Sequence, residues 1–184
     1  MTVGTQFGLH TVRFWIYLRP DQGRSQRLMP GTPHALIVEA RYYAHISDEL
    51  LKGALAALDQ AGASHERVTV PGAFEIPAAI KYAIEGTARG IAKARFDGFI
   101  ALGCVIRGET THYDHICEET AHWLQVLAVN DGLPIGYGIL TCENEQQALH
   151  RANPGGNGRD HGGAAARACL AMVGVKQQFS GGAR

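Results

Sequence analysis

Charge of either sign is not in excess. Lysine plus arginine and aspartate plus glutamate each number 17 in 184 residues, a formal net charge of zero with histidine neutral. No basic stripe interleaves with aromatics, so the footprint of a nucleic-acid binder is missing. Zero net charge also leaves little repulsion against self-association, a composition suited to an oligomer. Long hydrophobic runs are absent near the start, where the longest covers only residues 14–18. That falls far short of the roughly 20 residues of a membrane span, and short of a signal peptide's apolar centre. A cytoplasmic protein is the expectation. Cysteine is scarce, at four. Cys104, Cys117, Cys142 and Cys169 form no C-x-x-C pair and are expected as reduced thiols in or near the core. Neither a Walker A pattern nor G-x-G-x-x-G occurs, which removes the common nucleotide loops.

What is present centres on residues 103–115, Gly-Cys-Val-Ile-Arg-Gly-Glu-Thr-Thr-His-Tyr-Asp-His. The apolar run Phe99-Ile100-Ala101-Leu102 leads in from Asp97-Gly98 and reads as a buried parallel strand. A turn at Arg107-Gly108 ends it. Thr111 stands three residues before Asp114, a capping-box pattern that opens a helix. A strand, a short Gly/Thr loop and a helix N-terminus in succession present free amides and a positive dipole end to an anion such as phosphate. His112 falls in the first helical turn beside that place, so the stretch suggests an enzyme acting on small phosphorylated molecules.

The length fits one domain with a tail. Residues 1–33 carry Pro20, Gly23, Pro30, Gly31 and Pro33 among scattered arginines without periodicity. They are expected as a disordered extension, with Met29 as a candidate natural start. From residue 34 strands and helices alternate. Strand one is expected over 34–40. A helix follows, with Ser47 as its N-cap, apolar spacing through Leu58 and a stop at Gly62. Strand two is Val68-Thr69-Val70. A helix over 76–84 has Pro77 in its first turn, and a loop is expected around 86–90. The third strand and its helix reach Asn130. Strand four is expected over 134–141, a short helix over 143–151, a turn-rich loop over 153–158 and a last helix over 164–175. Such alternation predicts a parallel sheet with right-handed crossovers and helices on both faces. Ligands sit at the carboxyl ends of strands in such sheets. The unusual residues gather there: Tyr42 and Tyr43, Gly72 to Glu75, Arg107 to His112, and Thr141 to Glu143.

With those residues assembled, the chain from about Pro33 onward resembles the lumazine synthase family. Val70-Pro71-Gly72-Ala73-Phe74-Glu75-Ile76-Pro77 is similar to its ribityl-binding segment. Residues 103–114 are similar to its phosphate-and-histidine segment, and Gly138-Ile139-Leu140-Thr141-Cys142-Glu143-Asn144 to its strand-four segment. The resemblance implies an α/β, flavodoxin-like, three-layer αβα domain over 34–184, built on a four-stranded parallel sheet. It implies homopentamers with sites between subunits, and no metal or organic cofactor. The implied reaction condenses 5-amino-6-(D-ribitylamino)uracil with 3,4-dihydroxy-2-butanone 4-phosphate. Its product is 6,7-dimethyl-8-ribityllumazine, in the penultimate step of riboflavin biosynthesis. By position, Tyr42 matches the aromatic stacked on the pyrimidine. Ala73, Phe74 and Glu75 match the ribityl segment, and Cys104, Val105 and Ile106 the strand whose backbone faces the uracil edge. Gly108, Glu109 and Thr110 match the phosphate loop and His112 the proton-transfer residue. Arg151 matches the phosphate-binding arginine of the neighbouring subunit, and Tyr137 an aromatic from that neighbour.

One departure stands out. Where the family has Asn-Lys-Gly before its last helix, the matching place reads Asp160-His161-Gly162, with Arg159 one frame away. His161 is the expected stand-in for the lysine at the phosphate. The loop before it resembles the longer loop of members that stop at pentamers. The lost lysine leaves a second reading, a paralogue that binds lumazine or riboflavin with little turnover. A third is a metal-dependent hydrolase, because His112, His115, His122 and Glu119 mimic ligand spacing.

Overall fold

The computed structural model describes residues 31–90, 96–153, 155 and 159–180. The expectations placed on residues 1–30, and on 154 and 156–158 of the turn-rich loop, lie outside the described residues. Four strands form one sheet of order β2-β1-β3-β4, every pair parallel. They are β1 (His34–Ala40), β2 (Ser64–Val70), β3 (Gly98–Ile106) and β4 (Ile135–Cys142). Among the described residues five α-helices accompany them: α1 (Ala44–Gln60), α2 (Ile76–Ala88), α3 (His112–Asn130), α4 (Glu145–Ala152) and α5 (His161–Ser180). A 3-10 turn, Ala73–Glu75, precedes α2. The expected flavodoxin-like three-layer αβα architecture is what forms.

The layers follow from strand composition. β1 and β3 are interior and nearly all apolar, so both their faces must be covered. Ala35, Ile37, Ile100 and Leu102 pack against α1 and α5 through Ala54, Leu58, Ala165 and Cys169. Leu36, Val38, Phe99 and Ala101 pack on the opposite face against Ile76 and Ile80 of α2 and Leu124 and Leu127 of α3. Toward the carboxyl ends, Cys104, Leu140 and Cys142 meet Ile46 and Leu50 of α1 and Ala148 of α4. β2 differs. It is an edge strand exposed along nearly its whole length, and pairing with β1 from His34↔Ser64 onward extends it four residues before Val68.

Several element ends differ from expectation, each for a local reason. α1 begins at Ala44, so Ser47 is not its cap. Buried in the first turn, Ser47 donates its hydroxyl to the carbonyls of Tyr43 at 3.0 Å and Ala40 at 3.1 Å. α2 runs through Gly86 to Ala88, because the chain first reaches a left-handed glycine at Gly90 (φ 69°). Asn144 caps α4 by accepting from the Gln147 amide at 3.0 Å, which leaves Glu143 outside the helix. Asp160 accepts from the Gly163 amide at 2.7 Å, and α5 starts at His161, three residues earlier than expected.

Candidate active site

Four loops leave the carboxyl ends of the sheet, and the residues singled out from sequence divide among them. After β1, Tyr42 is 75% exposed and meets Tyr43 edge-on at 4.9 Å between ring centroids. After β2, Ala73 is buried while Phe74 is 55% exposed, so this turn anchors by its alanine and offers a ring to solvent. Gly103 of β3 lies beneath: a Cβ there would fall within 3.8 Å of Ala40, Ile76 and Ala73. β3 is thus packed here against the end of β1 and the turn after β2. Cys104 is buried on the α1/α4 face, and burial pushes its thiol up to about 12. It is a packing group rather than a nucleophile. Val105 packs on the α2/α3 side, whereas Ile106 packs with Tyr43 against the α1/α4 cluster.

The loop after β3 is held as expected between a strand end and a helix start. Gly108, Glu109, Thr110, Thr111 and His112 are exposed. Among the described residues, the amides of 108–111 have no hydrogen-bond acceptor. His112 is the first residue of α3, and its amide approaches the Thr110 hydroxyl at 3.4 Å. Thr111 makes no side-chain cap, so the capping box does not form. Asp114 turns instead to Arg107, whose Nη2 and Nη1 reach its two oxygens at 2.9 and 3.2 Å. The same guanidinium donates through Nε to Glu143 at 3.0 Å and lies over the Tyr113 ring, 4.0 Å from its centroid. Hydrogen bonding to Arg107 draws the Asp114 carboxyl below its ordinary range. Sequence reasoning missed this knot. Its signal was an arginine and an aspartate bracketing a loop, with a glutamate just past the neighbouring strand.

Arg151 and His161 gather elsewhere in the chain. Arg151 closes α4, donating to the Gln147 carbonyl at 3.1 Å, and borders a depression of about 590 Å³ with Asn144, His150 and Asn153. Burial lowers the proton affinity of His161, and the charges of Arg151 and Arg159 lower it further against the opposing pull of Asp160. Arg151 and Arg159 therefore lie close enough to His161 for their charges to act on it. No hydrogen bond among the described residues ties this basic group to the 108–112 loop. Tyr137 lies on β4, 44% exposed, with its hydroxyl's proton affinity raised by burial and by Cys117 and Tyr113 of α3. As for a metal, the described residues bring no group of three His, Cys, Asp or Glu together, and Glu119 instead accepts from the Trp123 indole at 3.0 Å.

Fold and site together define a flavodoxin-like α/β protein whose exposed aromatics, unpaired-amide loop and exposed His112 all follow the carboxyl ends of parallel strands. Residues 32–177 match the family model described as 6,7-dimethyl-8-ribityllumazine synthase, and the chain belongs to that family. A protein of that name from Sphingopyxis alaskensis is 53% identical over 146 residues, covering 79% of this chain and 96% of its own. Another, from Agrobacterium fabrum, is 50% identical over 149 residues, covering 81% and 98%. From Rhizobium meliloti, 6,7-dimethyl-8-ribityllumazine synthase 1 is 53% identical over 146 residues, covering 79% and 93%.

Proposed function

We propose that this chain is a transferase that condenses 5-amino-6-(D-ribitylamino)uracil with 3,4-dihydroxy-2-butanone 4-phosphate. It releases 6,7-dimethyl-8-ribityllumazine, phosphate and water. The observation that carries this reading is the set of exposed groups that follow three strand carboxyl ends, Tyr42 after β1, Phe74 after β2, and after β3 a loop with unpaired amides running into His112. Tyr42 stacks on the pyrimidine, Ala73 to Glu75 hold the ribityl chain, and the backbone of 104–106 faces the uracil edge. The amides of 108–110 hold the phosphate at a helix N-terminus. His112 moves protons as the amine adds to the ketone, phosphate leaves and the ring closes. Bringing two substrates together supplies much of the rate.

The synthase domain covers 34–184, behind an extension of 33 residues, and works in the cytoplasm as a homopentamer with sites between subunits. In that assembly Arg151, Arg159, His161 and Tyr137 come from the neighbour. Support comes from the resemblance, which gives Arg151 and Tyr137 to the neighbour, and from the long loop before α5. No metal or organic cofactor takes part. The test is to mix purified protein with both substrates and follow lumazine absorbance against released phosphate. Equal amounts of both, with turnover beyond one per chain, are expected. Tight lumazine binding without turnover would instead identify a binding paralogue.

A further inference from the structure

We propose that Arg107 is a positioning residue that keeps the anion loop receptive to phosphate by neutralising two carboxylates at its rim. The inference rests on the reading above that residues 108–110 take the phosphate of the four-carbon substrate. Free amides and a helix end attract an anion, yet acidic side chains crowd the same place. Asp114 lies in the first turn of α3 and Glu143 just past β4, beside the loop's other flank. Left bare, these two carboxylates oppose an incoming phosphate dianion.

Arg107 occupies both at once, with two nitrogens on Asp114 and Nε on Glu143, while its flat face rests on Tyr113. Only a guanidinium offers that planar fork; an ammonium is a point charge. Its nitrogens are turned to the carboxylates, so it acts on phosphate through them and not as a ligand. The pairs also join residue 107, at the strand end, to 114 and 143, closing the loop between fixed points. The partners are 38% to 58% exposed, and surface pairs of this kind add little to fold stability. The arrangement therefore matters to the loop's field more than to the fold.

The test compares Arg107→Ala with Arg107→Ala/Asp114→Asn/Glu143→Gln, and with Arg107→Lys as the conservative variant. Arg107→Ala is expected to raise KM for the butanone phosphate roughly tenfold, about 1.4 kcal/mol of lost attraction. KM for the pyrimidine should stay within about twofold. The triple variant, freed of the bare carboxylates, is expected to recover most of that loss, and Arg107→Lys to fall between. Equal rises in both KM values, or a triple variant as poor as the single, would overturn the proposal. Inorganic phosphate measured by calorimetry gives the same comparison without turnover, so an inactive wild type would sink the assigned reaction and still leave this inference testable. Phosphate affinity unchanged in Arg107→Ala would reject it on either readout.

Discussion

His112 stands at the mouth of the anion loop with its ring exposed, and that setting bounds what it contributes. General acid–base help adds about 10² to 10⁴ in rate, and a reaction governed by positioning draws on the lower end. His112→Ala is expected to slow turnover by about 10²-fold or less, measured as kcat under saturating substrates. An unchanged kcat would remove His112 from the mechanism. His161 is more constrained. Its proton affinity lies below the ordinary 6.5 because of burial and two arginines, so its charge is lost as pH rises through a value lower than 6.5. An unperturbed imidazole would lose its charge near pH 6.5 instead. In the free protein at neutral pH His161 is therefore a neutral donor or acceptor, and the standing cations are Arg151 and Arg159. A group depressed in this way contributes stability above its unfolded value near 6.5, and loses it as pH falls through the folded value. Bound phosphate reverses the arginine field. Saturating inorganic phosphate is expected to raise the His161 titration midpoint, read by NMR; an unmoved midpoint would place His161 outside the phosphate site.

At the scale of elements, apolar periodicity located the buried strands β1, β3 and β4 and the α-helices of the described residues, since burial sets both patterns; exposed β2 showed only its last three residues. The ends were less legible, because the small polar residues that mark caps also serve tertiary bonds. Ser47 reads as a cap but bonds back to Ala40 and Tyr43. Asp114 reads as half of a capping box but answers Arg107. Glycines likewise hid their partner. Gly162 sits where α5 crosses α1, and a Cβ there would strike the Leu50 backbone. Alanine would gain roughly 0.5–1 kcal/mol of helix propensity, whereas overpacking typically costs about 1–3 kcal/mol. The steric term wins against backbone that cannot swing aside. Gly162→Ala is expected to lower Tm by about 2–8 °C in a domain of this size, followed by circular dichroism. A Tm equal to or above wild type would mean that α1 and α5 separate at little cost.

For the whole molecule, the proposed pentamer divides each site between two chains. The anion loop, His112, Tyr42 and Phe74 belong to the sheet edge, while Arg151, Arg159 and His161 belong to α4 and the start of α5. Large apolar side chains stay open as well, Trp123 at 51%, Val129 at 67% and Phe179 at 85%; several such side chains on one chain fit surfaces that a second copy covers. Motif residues were legible in sequence because they lie in consecutive runs. The nearness of Arg151 and Arg159 to His161 was not, because it depends on how α4 and α5 fold back. The division yields a test. Arg151→Ala removes the basic half and is expected to raise KM for the butanone phosphate far more than for the pyrimidine. Phe74→Asp damages the other half at a ring already in solvent, so it need not disturb the core. Each homogeneous variant should be weak. When the two are unfolded, mixed equally and refolded together, an intact site needs an Arg151→Ala chain to supply the loop and a Phe74→Asp neighbour to supply Arg151. Random assembly in a closed ring makes about one site in four of that kind, so activity should return to about a quarter of the refolded wild type. Sites confined to one chain would give no return, even in assemblies shown by mass spectrometry to contain both variants.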